Sequence, residues 1–395
     1  MALSNAGFEK PSRRFGEISL SRRAFVRLAS LTAVSGAAFS LMGCSSDGDG
    51  SSRASSAPST PAEAPRAVLR ALSGAADPVD VRVGLIMGPP SMALSRFLIN
   101  AQNGDTYNRF SFEICGVDYP SVAARLNQGD FDIVTLPSNL GAVLYNNKDI
   151  DVDVACIAIN NLGVLYGITS DSSVKKLADL EGRTVYVYGE GGTPEYTIDT
   201  VLAGHNMAGK VNLVFKSTPF EILNLLQQEE NCIAIIPQPF VELAKYMTSG
   251  LATPIDITKE WDSMEGNDGS RAVTTHTVVN RAFLEEHELA VVEYLQQMAA
   301  SVDWTLDHIA EAAACQVELG TFMNDEVALG AMPYCSFVCL TGETAYDALS
   351  GFLEAIYAEN PESVGGALPG TDFYYLPPLD SLDTPVEDLA SGMRP

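Results

Sequence analysis

Histidine and tryptophan are scarce in this sequence, and its cysteines form no metal-binding pattern. The 395 residues include four His, two Trp and seven Cys. Neither a His-Glu-x-x-His motif nor a cluster of cysteines occurs, so there is little material for a zinc site or for His- or Cys-based catalysis. Cys335 and Cys339 are four residues apart, with no further Cys or His close by in the sequence. We therefore predict no metal site, no cofactor and no catalytic residues.

Basic residues are also few. The chain has 24 Lys and Arg against 50 Asp and Glu, a formal net charge of −26. Residues 1–43 contain six of the basic and two of the acidic residues, which leaves −30 on the remainder. Nucleic-acid binding requires basic patches that replace counterions, so this charge argues against it. The same charge disfavours electrostatic binding to anionic lipid and indicates a soluble, exported monomer.

Long apolar runs are missing, and the one apolar stretch near the N-terminus is short. Residues 28–42 are mildly apolar, and 15 residues are too few to favour a spanning helix. Ser-Arg-Arg-Ala-Phe-Val-Arg precedes this stretch at 21–27 and has the form of a twin-arginine signal, while Leu-Met-Gly-Cys at 41–44 has the form of a lipobox. We predict a signal peptide over 1–43 and an exported chain anchored to the outer face of the cytoplasmic membrane by lipidated Cys44. The alternative is an unrelated apolar helix followed by a chance cysteine.

Residues 44–79 consist largely of Ser, Gly, Ala, Pro and Asp. A segment of this composition cannot bury enough apolar surface to offset its chain entropy. The sequence therefore predicts a flexible tether between the anchor and a folded body that begins at residue 80.

The most informative stretch of that body is 177–196, LADLEGRTVYVYGEGGTPEY. It predicts a helical turn, a strand over 184–188, a glycine-rich loop and then a helix, with Thr193 as N-cap and Pro194 as the first helical residue. Backbone N–H groups of such a loop and the positive end of the helix dipole face whatever lies above the strand. In open α/β sheets, ligands bind in this crevice beyond the carboxyl ends of the strands.

The same layout recurs along the chain. Strands are predicted over 81–86, 111–115, 131–136, 154–159, 212–215 and 232–236, most of them followed by a loop and a helix, with long helices after residue 281. This alternation predicts an α/β protein with largely parallel, helix-covered sheets. Extended crossings near 162–170 and 271–280 divide it into two lobes joined by a hinge: lobe 1 is 80–168 with 277–395, and lobe 2 is 169–276.

Three segments carry a resemblance to a known family: NQGDFDIVTLPSNLGAVLYN at 127–146, SSVKKLADLEGRTVYVYGEGG at 172–192 and ESVGGALPGTDFYY at 362–375. They resemble substrate-binding proteins of ABC transporters, in the branch that holds the nitrate, sulfonate, taurine and thiamine-pyrimidine binders. The resemblance implies a type II periplasmic binding protein fold whose two lobes close on a small organic solute. It also implies delivery of that solute to a membrane permease powered by a cytoplasmic ATPase.

The resemblance places the solute on strand-end loops between the lobes, where backbone N–H groups and Ser, Thr, Asn and Gln side chains suit recognition by hydrogen bonds. On lobe 1 the candidates are Met87, Gly88, Pro89, Ser91, Pro137, Ser138, Asn139, Asn160 and Asn161. On lobe 2 and the second crossing they are Gly191, Gly192, Thr193, Pro237, Gln238, Thr275 and His276. Ser91, Ser138 and Thr193 have the alternative role of helix caps, and His276 that of a structural residue. A bulky residue in place of Gly192 is expected to abolish binding.

The identity of the solute stays open at this stage. Arg96 and Arg271 are the only basic residues that the pattern brings near the cleft, which disfavours a strongly anionic solute. Five tyrosines offer stacking faces for a flat heterocycle, or are ordinary core and surface residues: Tyr119, Tyr145, Tyr166, Tyr188 and Tyr196.

Two other functions remain as alternatives. One is an enzyme on the same fold, since the resemblance also extends to pyrimidine synthases of the thiamine pathway and to enzymes of menaquinone synthesis. The other is a sensor or scaffold domain that presents its lobes to a partner. The Gly189–Gly192 loop is a weak match to a dinucleotide fingerprint, because no acidic partner stands at a convincing distance.

Overall fold

The computed structural model describes residues 70–391, apart from 75, 117–118, 148–151, 266, 268 and 320–323. The predicted signal peptide, Cys44 and most of the tether lie outside the described residues. No helix within the described ranges is long and apolar enough to cross a membrane. The six cysteines in the same ranges are all free, and Cys156, Cys232 and Cys335 are buried.

The strands are short, as expected for an α/β body. In chain order they are β1 (Asp80–Leu85), β2 (Arg109–Ile114), β3 (Ile133–Pro137), β4 (Val154–Leu162), β5 (Leu165–Thr169), β6 (Thr184–Tyr188), β7 (Asn212–Lys216), β8 (Ile233–Pro237), β9 (Ala252–Asp256), β10 (Val273–Asn280) and β11 (Phe337–Leu340). All five residues of β3 are buried, and eight of the nine in β4 are buried. Such unbroken burial is typical of central strands that are covered on both faces.

Helices separate most of these strands. They are α1 (Pro89–Met92), α2 (Ser95–Asn103), α3 (Tyr119–Asn127), α4 (Ser138–Asn146), α5 (Thr193–Gly204), α6 (Pro219–Gln228), α7 (Phe240–Met247), α8 (Ile257–Asp262), α9 (Arg281–Glu286), α10 (Glu288–Asp307), α11 (Ile309–Glu318), α12 (Asp325–Ala331), α13 (Gly342–Glu359) and α14 (Val386–Ala390). Helix α6 shows how local sequence fixes a boundary: Thr218 caps it, Glu221 completes a capping box, and Pro219 takes the first turn.

The described strands form two mixed sheets. The first has six strands in the order β11-β4-β10-β3-β1-β2, and the second has five in the order β7-β6-β8-β5-β9. Pairing is parallel within β1, β2 and β3 and within β6, β7 and β8, whereas β10, β11 and β5 pair antiparallel with their neighbours. The predicted α/β class with two helix-covered sheets is confirmed. The sheets are mixed rather than largely parallel, because the strands next to the two passages between the sheets, β4, β5 and β10, pair antiparallel with their neighbours.

The chain passes between the sheets twice. Strand β4 belongs to the first sheet and β5 to the second, with only residues 163–164 between them. Strand β9 ends at Asp256, and the chain rejoins the first sheet at β10, which begins at Val273. The sheets therefore change over close to the two predicted crossings, while the division into lobes at 168/169 and 276/277 stays a prediction.

Several boundaries differ from the sequence-based expectation. Helix α5 begins one residue early, so that Gly192 is its N-cap and Thr193 its first residue. Strands β9 and β11 were not expected; β11 has only four residues and joins β4 with a register shift, which leaves a weak pattern in the sequence. Ser91 lies inside α1, and the N-caps of α1 and α2 are Gly88 and Leu94, so Ser91 is not a helix cap.

The last part of the predicted tether is in contact with the body. Two nitrogens of the Arg70 guanidinium donate to the Glu288 carboxylate at 2.9 and 2.5 Å. The backbone N–H and hydroxyl of Ser73 donate to the same carboxylate at 2.7 and 2.8 Å. Residues 70–73 are therefore bound to the start of α10, in contrast to the flexible segment that their composition predicts.

Candidate functional site

Loops from both sheets meet around a small cavity of about 60 Å³. The lining residues from the first sheet and its connections are Ile86, Met87, Gly88, Pro89, Pro90, Tyr119, Pro137, Asn161, Thr274 and Thr275. Those from the second sheet and its connections are Val164, Leu165, Tyr188, Thr193, Pro194, Pro237, Gln238, Pro239 and Phe240. One water requires on the order of 10–15 Å³ and a benzene-sized ligand about 150 Å³, so the cavity has room for several waters and a single ring is the upper limit for a solute.

The loop after β1 forms one part of the first wall. Gly88 has φ +114°, a region that favours glycine, and this turns the chain directly into α1. A Cβ atom added at Gly88 would approach Pro239 of the opposite wall to 3.9 Å. The Ser91 hydroxyl donates to the carbonyl oxygen of Gly88 at 3.0 Å and does not line the cavity. Ser91 thus stabilises the loop without lining the cavity.

Where β3 meets α4, only the last residue of the strand lines the cavity. Pro137 lies at the wall, whereas the Ser138 hydroxyl donates to the carbonyl oxygens of Val273 and Thr274. The Asn139 amide nitrogen donates to the carbonyl oxygen of Ser363 at 3.1 Å. The side chains of Ser138 and Asn139 therefore make hydrogen bonds within the protein.

The glycine-rich loop after β6 differs from its predicted role. Gly189 has φ +102°, and a Cβ atom there would lie 2.7 Å from Pro194, so the close return of the chain requires glycine. The Gly191 N–H donates to a carboxylate oxygen of Glu195 at 2.5 Å, and the Gly192 N–H donates to the Gly189 carbonyl oxygen at 3.1 Å. These N–H groups are occupied, and neither Gly191 nor Gly192 lines the cavity.

This loop geometry also alters the expectation for Gly192. A Cβ atom at that position meets nothing closer than the Gly189 carbonyl oxygen at 3.4 Å, an ordinary contact. Its φ of −131° is open to any residue. The structure therefore gives no reason why a larger residue at Gly192 should abolish binding.

Two hydrogen-bonded pairs join the walls directly. The Thr193 hydroxyl donates to the Asn139 side-chain oxygen at 2.9 Å, and the Asn139 N–H approaches the same hydroxyl at 3.4 Å. The side chains of Tyr119 and Tyr188 are also hydrogen-bonded to each other. Thr193, Tyr119 and Tyr188 all line the cavity, so the structure corresponds to a closed arrangement of the two walls.

The loop after β8 supplies Gln238, which is buried with 2% of its surface exposed. Its backbone N–H donates to the Val164 carbonyl oxygen at 2.9 Å and so fixes the residue at the wall. Its side-chain oxygen, Oε1, is buried and has no hydrogen-bond partner. Most buried polar groups have partners, so this oxygen is an exception.

Strand β10 sends two predicted site residues to opposite faces, because successive side chains of a strand alternate. Thr275 lines the cavity and donates its hydroxyl proton to the Asn161 side-chain oxygen at 2.8 Å, while the Asn161 amide nitrogen donates to the Cys335 carbonyl oxygen at 2.9 Å. His276 is fully buried, and its ring centroid lies 6.1 Å from that of Phe373. Asn160 also lies away from the cavity and accepts a hydrogen bond from Thr277 at 3.0 Å.

No protein-family model matches the chain, and no curated protein sequence matches it. Solved structures do. A protein described as an ABC transporter from Parabacteroides distasonis matches with TM-score 0.62 and 24% identity, over 75% of this chain and 98% of that one. The periplasmic aliphatic sulphonate binding protein SsuA from Escherichia coli matches with TM-score 0.60 and 15% identity, over 76% and 93%. The chain has the type II periplasmic binding protein fold.

A third structure with this fold is the ligand-binding component of an ABC-type import system from Staphylococcus aureus, with zinc bound. It matches with TM-score 0.57 and 13% identity, over 77% of this chain and 97% of that one. The predicted structural resemblance to substrate-binding proteins is confirmed. At these identities the likeness establishes the fold alone.

The fold brings nine of the sixteen predicted site residues together at the cavity: Met87, Gly88, Pro89, Pro137, Asn161, Thr193, Pro237, Gln238 and Thr275. The other seven do not line it: Ser91, Ser138, Asn139, Asn160, Gly191, Gly192 and His276. The prediction missed hydrophobic residues next to these, among them Ile86, Pro239 and Phe240. Their position directly beside the predicted residues is the signal that could have found them.

No charged side chain lines this cavity. Arg271 is exposed and lies 4.0 Å from Asp262, and Arg96 is likewise absent from the lining. Burial raises the pKa of both Tyr119 and Tyr188, so these two tyrosines are uncharged at neutral pH. The remaining predicted stacking residues, Tyr145, Tyr166 and Tyr196, do not line this cavity.

Proposed function

We propose that this chain is the solute-binding receptor of an ABC importer, which encloses a small organic solute and delivers it to a membrane permease driven by a cytoplasmic ATPase. The supporting observation is the cavity itself, which is lined by strand-end loops from both sheets. Ligand sites of open α/β sheets lie in this position. Solved structures with the same fold are described as binding components of import systems, which supports the proposal by analogy.

The proposed mechanism is a shift of population between open and closed lobes. Lobe 1 comprises 80–168 with 277–395, and lobe 2 comprises 169–276. Contacts such as that between Thr193 and Asn139 form only when the lobes meet, and a solute in the cavity adds contacts with both walls. The closed form is thereby favoured when solute is present. The permease can then distinguish loaded from empty receptor by shape.

We further propose that the receptor is exported by a twin-arginine signal over 1–43 and retained at the outer face of the cytoplasmic membrane by lipid on Cys44. The support is the motif order in the sequence. A tether over 44–79 would allow the body to stand away from the bilayer.

Native mass spectrometry of the full-length chain, purified in mild detergent from an expressing bacterium, tests the receptor function. We expect a bound solute of low mass that is released unchanged on denaturation and rebinds on refolding or on exchange. Chemical conversion of that solute by the protein would favour the enzyme alternative. A protein that carries no solute and binds none from a concentrated extract of the growth medium would contradict the proposal.

Membrane fractionation tests the anchor. Wild-type protein is expected in the membrane fraction with a mass increase for lipid at Cys44, and C44S is expected to lose both. C115S is the matched control, because Cys115 is a free cysteine within the folded body. Equal membrane association of C44S and wild type would refute lipidation at Cys44.

A further inference from the structure

The walls of the cavity limit the chemistry of its solute. Seven of the lining residues are prolines or glycine, and three are aromatic: Tyr119, Tyr188 and Phe240. No Asp, Glu, Lys, Arg or His is among them. A charge enclosed by such walls would lose its hydration without gaining a partner of opposite charge, which is strongly unfavourable. An uncharged solute avoids this cost.

The N-terminus of α5 does not compensate for the missing cations. In many proteins such a terminus holds an anion. Here the preceding loop donates its Gly191 N–H to the Glu195 carboxylate at 2.5 Å. This carboxylate places a negative charge beside the helix terminus, and a second anion nearby would be repelled.

Most polar side chains of the lining are already paired with the protein. Thr275 donates to Asn161, Asn161 donates to a backbone carbonyl oxygen, and Thr193 donates to Asn139. Gln238 is different: it is 2% exposed, lies at the wall, and its Oε1 has no partner. Among the described residues of the lining, it has the one buried side-chain oxygen or nitrogen that lacks a hydrogen bond. An amide oxygen accepts and cannot donate.

We propose that the cavity takes an uncharged solute, no larger than one ring, that has an apolar or aromatic face and an N–H or O–H group, which donates to Gln238 Oε1. The inference rests on the proposed receptor function and adds the class of solute. Aromatic and proline faces surround the ring, and the single donor determines its orientation. Anions such as sulfonates are excluded by the lack of a counter-charge.

Binding to the full-length chain, freed of any bound solute, is measured by titration calorimetry. Two matched pairs of uncharged one-ring probes are used: uracil with 1,3-dimethyluracil, and phenol with anisole. Ethanesulfonate and nitrate are the anionic probes. We expect at least one donor-bearing probe to bind, its methylated partner to bind about tenfold or more weakly, and both anions not to bind.

Two variants locate the effect. Q238M keeps the length of the side chain and removes the acceptor, so it should weaken the donor-bearing probe about tenfold and leave the methylated probe unchanged. Q227M is the matched control: Gln227 is exposed on α6 and does not line the cavity, so the same exchange there should change binding by less than about threefold. Circular dichroism melting curves of both variants establish that they are folded.

Binding of ethanesulfonate or nitrate would overturn the inference and leave the receptor function intact. Equal binding of both members of each pair, or an unchanged affinity in folded Q238M, would refute the role of Gln238. Binding of no probe would overturn the solute class as stated. In that case the receptor function is judged separately, by whether the purified chain carries a solute.

Discussion

His276 leads to a quantitative prediction about acid stability. Its ring is fully buried on β10, and both Nδ1 and Nε2 lack hydrogen-bond partners. The site is tight, since a Cβ atom added at Gly141 would lie 2.2 Å from Nε2. Burial lowers the pKa of His276 to about 3, because an imidazolium ion there would have neither water nor an acceptor. We expect H276L to remove an acid-sensitive element from the fold.

The size of the effect follows from the two pKa values. In the unfolded chain a histidine has a pKa of about 6.5, so below that pH the unfolded state takes up a proton that the folded state does not. The pKa of His276 is thus lower in the folded form than in the unfolded chain. Its effect on stability is absent above pH 6.5, and as the pH falls below that value it increasingly destabilises the fold. The free energy of unfolding decreases by about 1.4 kcal/mol for each pH unit. Between pH 7.5 and 5.0 the total for this residue is about 2 kcal/mol.

Urea unfolding of wild type and H276L, followed by the fluorescence of buried Trp261, measures this difference. Carboxylates and other groups titrate in both proteins, so their contributions cancel when the two pH profiles are subtracted. We expect wild type to lose about 2 kcal/mol more than H276L between pH 7.5 and 5.0, whatever the stability of the variant at pH 7.5. V278A, which alters a buried residue of the same strand without changing any titratable group, is the control and should keep the wild-type slope. Parallel profiles for wild type and H276L would refute the reasoning.

Three further predictions concern the walls and the core. T193V removes the donor to Asn139 across the walls, so affinity for the co-purified solute should fall about fivefold by calorimetry; unchanged affinity would contradict the closure mechanism. G189A should lower the free energy of unfolding by about 1–3 kcal/mol, because φ there is +102° and the added methyl group has no space. G191A has open space for the methyl group and should lower it by less. Equal losses would show that the backbone angle alone determines the cost. W261A empties a fully buried site and should cost about 3–5 kcal/mol in urea unfolding, and a loss below 1 kcal/mol would show that the core closes around the gap.

The loops of the site could be predicted from the sequence, because strand ends and the glycines or prolines next to them are local signals. Pro137 and Pro237 each end a buried strand, and Gly88 follows another, so the crevice position was available without a structure. The direction of each side chain was not available. Thr275 and His276 are adjacent on β10, and alternation states only that they face opposite sides. The pairing of β10 with β3 and β4 decides which side is the cavity.

The role of the glycine-rich loop could not be predicted for a different reason. A Gly-rich turn before a helix predicts free N–H groups, and this holds only when no nearby side chain accepts from them. Here Glu195, three positions after the N-cap Gly192, bonds back to Gly191. An acidic residue in the first helical turn is common, because its negative charge interacts favourably with the positive end of the helix dipole. Its presence should have reduced the expectation that this terminus holds a solute.

Lobe closure and solute recognition depend on different groups in this chain. Thr193, Asn161 and Thr275 have protein partners in the closed form, so a solute is not needed to satisfy them. Affinity must then come chiefly from the apolar faces that the solute buries, which discriminate poorly between rings of similar size. A buried acceptor without a partner discriminates far better, since a solute that lacks a donor leaves it unpaired. Selectivity should therefore depend on Gln238, and exchange of this one residue should broaden the range of rings that bind before it abolishes binding.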